Sequence, residues 1–195
     1  MASDSKLVWV DCEMTGLPGP GGVAPHRLLE IAVIVSDNDL SNIRKGPSLI
    51  IHQSPEVLAQ MNDWCKENFG WKETGDHVPG KLAADSAAST VSEVEAEKQI
   101  IEFVSKHVQP GKGLLSGNTV HADKRFLEAY MPAFMKYLHY RILDVSTVKE
   151  LCSRWYPDDF TKAPPKAYKH RAMDDIEASI TELQYYRTAI FKSSH

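Results

Sequence analysis

Three β-rich segments precede the first helical signal, and that order limits the fold more than any other feature of the chain. Lys6-Leu7-Val8-Trp9-Val10-Asp11 is dense in strand formers. Residues 28–36 make a second run, apolar but for Glu30 and the closing Ser36. Asp37-Asn38-Asp39 reads as a turn into a third strand ending near Ile51 and His52. The loop Gly16-Leu17-Pro18-Gly19-Pro20-Gly21-Gly22 separates the first two. Strands that follow one another in this way predict an antiparallel start.

Helical patterning then takes over. Ser54-Pro55-Glu56 offers an N-cap, a proline for the first turn and an early acid. Residues 70–90 show little periodicity and read as a mobile connection. Thr90-Val91-Ser92-Glu93 fits a capping box, with Val91, Val94, Ile101, Val104 and Val108 on one helical face. A short strand at 114–116 leads to a helix at 123–130, and Pro132 restarts one to residue 138. Residues 140–145 predict a strand, 146–155 a helix, 157–169 a loop with three prolines, and 171–191 a last helix. That last helix carries Met173, Ile176, Ile180, Leu183 and Ile190 on one face. A meander followed by β/α alternation predicts an α/β (α+β) architecture: a five-stranded mixed sheet with helices packed on it.

The 195 residues fit one domain. With 43% hydrophobic and 25% charged residues, the composition excludes a disordered chain. The charge of −4 lacks the basic footprint of a protein that wraps long nucleic acid, and leaves room for a small anion held through metal ions. No apolar run approaches the ~20 residues of a membrane span, so no membrane partner is expected. The polar start resembles neither a signal peptide nor a full transit peptide. Cys12, Cys65 and Cys152 have no CxxC spacing, which predicts a reducing, intracellular setting. The cytoplasm is the simplest one; a mitochondrial protein without its presequence would look the same.

Three acidic signals carry the chemistry. Asp11 and Glu13, two apart on a strand, point to one face. Two carboxylates so close repel unless a cation such as Mg²⁺ lies between them, though one acid facing solvent is the simpler reading. Asp123 falls in the first turn of a helix, where a lone acid commonly serves the helix dipole. His170-Arg171-Ala172-Met173-Asp174-Asp175 brings a histidine and two acids to the start of the last helix, which suits a metal ligand beside a base or simply an acidic first turn.

Taken together, Asp-x-Glu, a mid-chain Asp and His-x₄-Asp are the ordered motifs of the DEDDh exonucleases. Val8-Trp9-Val10-Asp11-Cys12-Glu13-Met14-Thr15-Gly16-Leu17, Asp63-Trp64, Tyr130-Met131-Pro132, His139-Tyr140-Arg141-Ile142-Leu143-Asp144-Val145-Ser146-Thr147 and the segment 170–176 resemble the oligoribonuclease family within that group. The resemblance runs over about residues 7–191 and identifies one exonuclease domain, 1–195. It implies a ribonuclease H-like sheet with helices on both faces. It also implies 3′→5′ removal of 5′-nucleotides from very short RNA, down to dinucleotides, with two divalent cations, Mg²⁺ or Mn²⁺. By position, Asp11, Glu13, Asp123 and Asp175 resemble the metal ligands and His170 the general base. The His-x₄-Asp spacing selects Asp175; Asp174, ~100° away on the helix, is expected at a cap or in solvent.

The resemblance further implies that Leu17 wedges between bases and Trp64 packs on one. Thr119, Arg141 and Ser146 resemble the group that closes over a 5′ phosphate, and His139 and Tyr140 match residues supplied by the second subunit of a homodimer. Thr119 stands where serine is usual. The segment 18–26 is longer and richer in Gly and Pro than expected, which bears on Leu17. Phe134, Met135, Tyr137 and Leu138 put more apolar surface on one short helix than its own sheet needs, surface that an isologous interface would bury. Lys162, Lys166, Lys169 and Arg171 surround His170 as a basic loop that either closes on phosphate or faces solvent. A proofreading or DNA-trimming DEDDh exonuclease is the alternative enzyme. An inactive RNA-binding module would lack an acid or the histidine, and all five are present.

Overall fold

The computed structural model describes residues 5–74, 77–165 and 170–192. The central strand β1 (Lys6–Met14) pairs antiparallel with β2 (Leu28–Asp37), which pairs antiparallel with β3 (Arg44–Ile50). On its other side β1 pairs parallel with β4 (Gly113–Gly117), and β4 with β5 (Ile142–Asp144). The order β3-β2-β1-β4-β5 is the expected five-stranded mixed sheet. Four helices separate β3 from β4: α1 (Pro55–Ala59), α2 (Asp63–Phe69), α3 (Leu82–Ala88) and α4 (Glu93–Ser105). Then come α5 (Val120–Tyr130), α6 (Pro132–Tyr137), α7 (Val145–Trp155), α8 (Pro157–Phe160) and α9 (Ala172–Ala189).

Alternation along β1 divides the core. Val8, Val10 and Cys12 pack with Ala96, Ile100 and Val104 of α4, Phe126 and Leu127 of α5 and Phe134 of α6. Leu7 and Trp9 face the other way, onto Ile176, Ile180 and Leu183 of α9. Both faces of β1 and β2 are therefore covered, which is why residues 28–36 read as a nearly continuous apolar run. A third cluster joins Leu29 to Leu58, Met61, Phe69, Leu82 and Ala83 beneath α1–α3.

Several expectations change. The segment 70–90 contains α3, whose Leu82, Ala83 and Ser86 are buried. Ala, Ser and Asp give it no apolar stripe, and the Ser86 hydroxyl anchors it by donating to the Ile51 carbonyl, 2.7 Å away. Gly75 and Asp76 lie outside the described residues. The cap of α4 is Ser92, whose Oγ accepts from the Glu95 amide at 3.2 Å, so the buried face shifts to Ala96, Ile100 and Val104 and leaves Val94 exposed. Pro157 starts the short helix α8 within the expected loop. Phe134 and Leu138 are buried in the core and Met135 and Tyr137 pack against it. The apolar surface of that helix is thus used within the chain and is no argument for an interface. Among the described residues no helix is long and apolar enough to cross a membrane.

Candidate active site

The carboxyl end of β1 outruns its parallel neighbour. Pairing with β4 stops at Trp9 and Ser116, whereas pairing with β2 continues to Met14. The Cys12 amide is met instead by Asp123, whose Oδ1 accepts from it at 3.0 Å. Asp123 is thereby carried, buried, from the first turn of α5 to the end of β1. Asp11 and Glu13 share the parity of Leu7 and Trp9, the side covered by α9. Asp175 lies in the first turn of α9, and ligand oxygens of Asp11, Glu13 and Asp175 all lie within 4.8 Å of one another. Asp123 stands outside that set of three. Asp174, next in the chain, is exposed.

The electrostatics follow from this packing. Burial, then the charges of Asp123, Glu13 and Asp175, hold the Asp11 carboxyl well above its ordinary range. Burial, Asp175 and Glu30 push Glu13 up to about 8, opposed by Arg171. Burial pushes Asp123 up to about 7 against the stabilising Cys12 amide bond. Without a counter-ion these groups are driven to keep protons. Clustered carboxylate oxygens suit a hard divalent cation, and Asp11, Glu13 and Asp175 can hold one.

His170 precedes α9 with φ +51°, a left-handed conformation that histidine seldom adopts. Its ring meets Trp64 edge-on, centroids 5.0 Å apart. It lines a cleft of about 440 Å³ with Phe69, Lys81 and Arg171. Arg171 itself turns to the buried Glu30, with Nε 3.1 Å from Oε2. Lys162 lies 3.7 Å from Asp159. The expected basic loop thus has two of its cations paired, while Lys166 and Lys169 lie outside the described residues.

A neighbouring cleft of about 370 Å³ is lined by Glu13, Gly16, Leu17, Trp64 and Phe69 among others. Leu17 is 71% exposed and Trp64 52%, so neither is a core residue. Asn62 caps α2 by accepting from the Cys65 amide at 2.8 Å, and α2 presents Trp64. The long segment after Leu17 is tied at its ends. The Thr15 amide donates to the Arg27 carbonyl at 3.0 Å, and the Arg27 amide donates to the Thr15 hydroxyl. At Gly16 a Cβ would come within 2.5 Å of the His26 ring, so any larger residue beside Leu17 would displace that ring.

Thr119 and Ser146 come together, their hydroxyl oxygens 3.0 Å apart. Thr119 has φ +53°, which a β-branched residue adopts only under constraint. Asp144 supplies that constraint by accepting from the amides of Thr119 and Ser146 at 2.9 and 3.0 Å. Arg141 belongs to a separate exposed group: its Nε donates to the Tyr140 hydroxyl at 3.0 Å, and His139 stacks on Tyr140 with centroids 4.6 Å apart.

Residues 8–183 match the exonuclease family RNase_T. A protein of Mus musculus named mitochondrial oligoribonuclease is 50% identical over 187 residues, 96% of this chain and 74% of that protein. The chain belongs to the oligoribonuclease family. The oligoribonuclease of Marinobacter nauticus is 43% identical over 192 residues, covering 98% of this chain and 99% of its own. Exonuclease I of E. coli, solved with a dA16 oligonucleotide, superposes with TM-score 0.71 at 17% identity over 95% of this chain. That likeness shows the ribonuclease H-like fold; this chain spans 41% of the length of the exonuclease I chain.

Glu30, Asp144 and Asn118 were not singled out as functional by motif. Glu30 had a signal: a single charge inside a buried strand needs a partner, and Arg171 and the Ser48 hydroxyl provide it. Asp144 and Asn118 act through backbone and hydroxyl contacts between distant segments, which local spacing does not display.

Proposed function

We propose that this chain is a 3′→5′ exoribonuclease that converts very short RNA, dinucleotides above all, to 5′-mononucleotides. The observation that carries the reading is the set of Asp11 and Glu13 of β1 with Asp175 of α9, half-buried near the buried Asp123, in a chain of this family. Asp11, Glu13, Asp123 and Asp175 would hold two divalent cations, Mg²⁺ or Mn²⁺. When bound, the ions would supply charge stabilisation for an in-line displacement at phosphorus. His170 takes one proton from the attacking water. The water oxygen bonds to phosphorus as the bond from phosphorus to the 3′ oxygen breaks, and that oxygen takes up a proton from solvent, so the released nucleotide keeps its phosphate at the 5′ position.

Leu17 and Trp64 take the bases. An exposed aromatic face beside an apolar wedge supports stacking that does not depend on sequence. Thr119, Ser146 and Arg141 close on the 5′ phosphate, and a closed 5′ end favours short substrates because a longer chain has no path onward. His139 and Tyr140 complete that closure from the second subunit of a homodimer. Tyr140 is 76% exposed in the single chain, and Leu151 and Trp155 of α7 are exposed as well, which supports burial by a partner copy. We take residues 1–195 as one exonuclease domain. It works inside the cell, in the cytoplasm or in mitochondria; three buried, unpaired cysteines suit a reducing compartment.

Incubation of a 5′-labelled dinucleotide and a 5′-labelled 20-mer with Mg²⁺ or Mn²⁺ tests the reading. Rapid conversion of the dinucleotide to mononucleotides, slow trimming of the 20-mer from its 3′ end, and loss of both with chelator are expected. A 20-mer degraded as fast as the dinucleotide would contradict it.

A further inference from the structure

A chain of hydrogen bonds runs from the Thr119–Ser146 pair to the helix turn that carries Asp175, and Asn118 is its junction. The direction of every bond follows from the groups at its far end. The Ser179 hydroxyl gives its single proton to the Asp175 carbonyl at 2.7 Å, so toward Asn118 it can only accept. Asn118 Nδ2 donates to it at 2.7 Å and to Glu182 Oε2 at 3.1 Å. Ser179 and Glu182 are both buried on α9. A hydroxyl already committed and a carboxylate both demand the nitrogen of the Asn118 amide, which turns Oδ1 toward Ser146. The Ser146 hydroxyl donates to that oxygen at 3.1 Å. With its proton used, Ser146 accepts from the Thr119 amide at 2.9 Å and from the Thr119 hydroxyl at 3.0 Å. An anion arriving at the exposed Thr119 hydroxyl can take this proton over from Ser146, which keeps the Thr119 amide as its donor.

We propose that Asn118 is a positioning residue for the 5′ end of the substrate: held in one orientation by Ser179 and Glu182, it orders the Ser146–Thr119 pair so that Thr119 donates to the phosphate, and joins that pair to the turn of α9 bearing Asp175. The inference rests on the reading that this pair closes on a 5′ phosphate. It deepens that reading by naming what sets the polarity of the pair and what fixes its place relative to the acids. The link also relates the two ends of a bound dinucleotide, since Ser179 lies one helical turn beyond Asp175.

The test compares dinucleotides with and without a 5′ phosphate, as kcat/KM in Mg²⁺, with the thermal unfolding midpoint recorded for each variant. Thr119→Val should abolish the preference for the phosphorylated dinucleotide. Asn118→Ala should raise KM for the phosphorylated substrate about tenfold, the scale of one hydrogen bond to a charged group, and leave kcat on the 5′-hydroxyl substrate nearly intact. Glu182→Gln keeps the volume and replaces the carboxylate by an amide that can turn either its oxygen or its nitrogen to Asn118, which weakens one of the two demands; a drop of about threefold in the preference is expected, which keeps the test decisive if Asn118→Ala does not fold. If Thr119→Val collapses the preference while Asn118→Ala and Glu182→Gln leave it unchanged, the positioning role is wrong and the reading of the 5′ end stands. If Asn118→Ala lowers both substrates equally alongside a lower midpoint, Asn118 is structural and the proposal is overturned. If Thr119→Val itself leaves the preference unchanged, the reading of the 5′ end fails and takes the proposal with it.

Discussion

The acids at the end of β1 and the residues proposed to hold the nucleotide are built in opposite ways. Asp11, Glu13, Asp123 and Asp175 are held by a central strand and two helix starts, out of full solvent contact, with the carboxyl groups of Asp11, Glu13 and Asp175 turned toward one another. Leu17, Trp64 and Tyr140 stand exposed on loops and a short helix. The first region is fixed before anything binds and stores repulsion that a cation relieves. The second gains most of its contacts from the ligand or a partner. Removing an acid should therefore cost chemistry and leave the fold intact, and removing a holding residue should cost binding.

The largest effect should follow Asp175→Asn or Asp11→Asn, which reduce turnover by roughly 10²–10³-fold or more, as loss of a major electrostatic contribution does. Asp174→Asn should stay near wild type. Activity in Asp175→Asn with an inactive Asp174→Asn would reverse the assignment. Next, His170→Ala should lower turnover by ~10²–10⁴-fold with dinucleotide affinity little changed. A collapse of affinity with turnover preserved would make His170 a holding residue and erase the contrast at that position. Trp64→Ala should act the other way, raising KM by ~10-fold from the loss of one stacked base while kcat moves little. Equal losses in both would join the two regions into one.

The smallest effect is on stability. Glu13 ionises at about 8 in the metal-free fold, well above an ordinary carboxyl. Between those values the folded chain holds a proton that the unfolded chain has released, so stability falls as pH rises through that interval. In chelator, the unfolding midpoint should drop from pH 6 to pH 8.5. Mg²⁺ should restore it at the higher pH and change it little at the lower. A midpoint that climbs with pH in chelator would mean the acids are not buried together.

The legibility of the molecule follows the same division. The β1 and β2 strands are readable because strands covered on both faces leave short, nearly continuous apolar runs, the turn at residues 37–39 because of its Asp and Asn, and the helix of Ile176, Ile180 and Leu183 because burial of one face leaves periodic apolar residues. The α3 helix was not, since Leu82, Ala83 and Ser86 pack a satellite cluster with small and polar side chains. The spacing of Asp11, Glu13 and Asp175 was visible in order along the chain, but the reason Asp123 joins them is a backbone amide left bare where β1 passes β4. The pairing of Arg171 with Glu30 was hidden too: a basic residue in a loop reads as solvated, and only the tertiary fold brings the buried acid to it.

Mn²⁺ titration of the protein, its Asp175→Asn variant and its Asp174→Asn variant by calorimetry at pH 6 and pH 8.5 tests the acid cluster most directly. Protons on Asp11 and Glu13 compete with the ion, so wild-type affinity should rise with pH. Asp174→Asn should bind as the wild type does, and Asp175→Asn should lose most of the affinity at both pH values. Wild-type binding by Asp175→Asn, or affinity that does not rise with pH, would contradict a metal centre built from Asp11, Glu13 and Asp175.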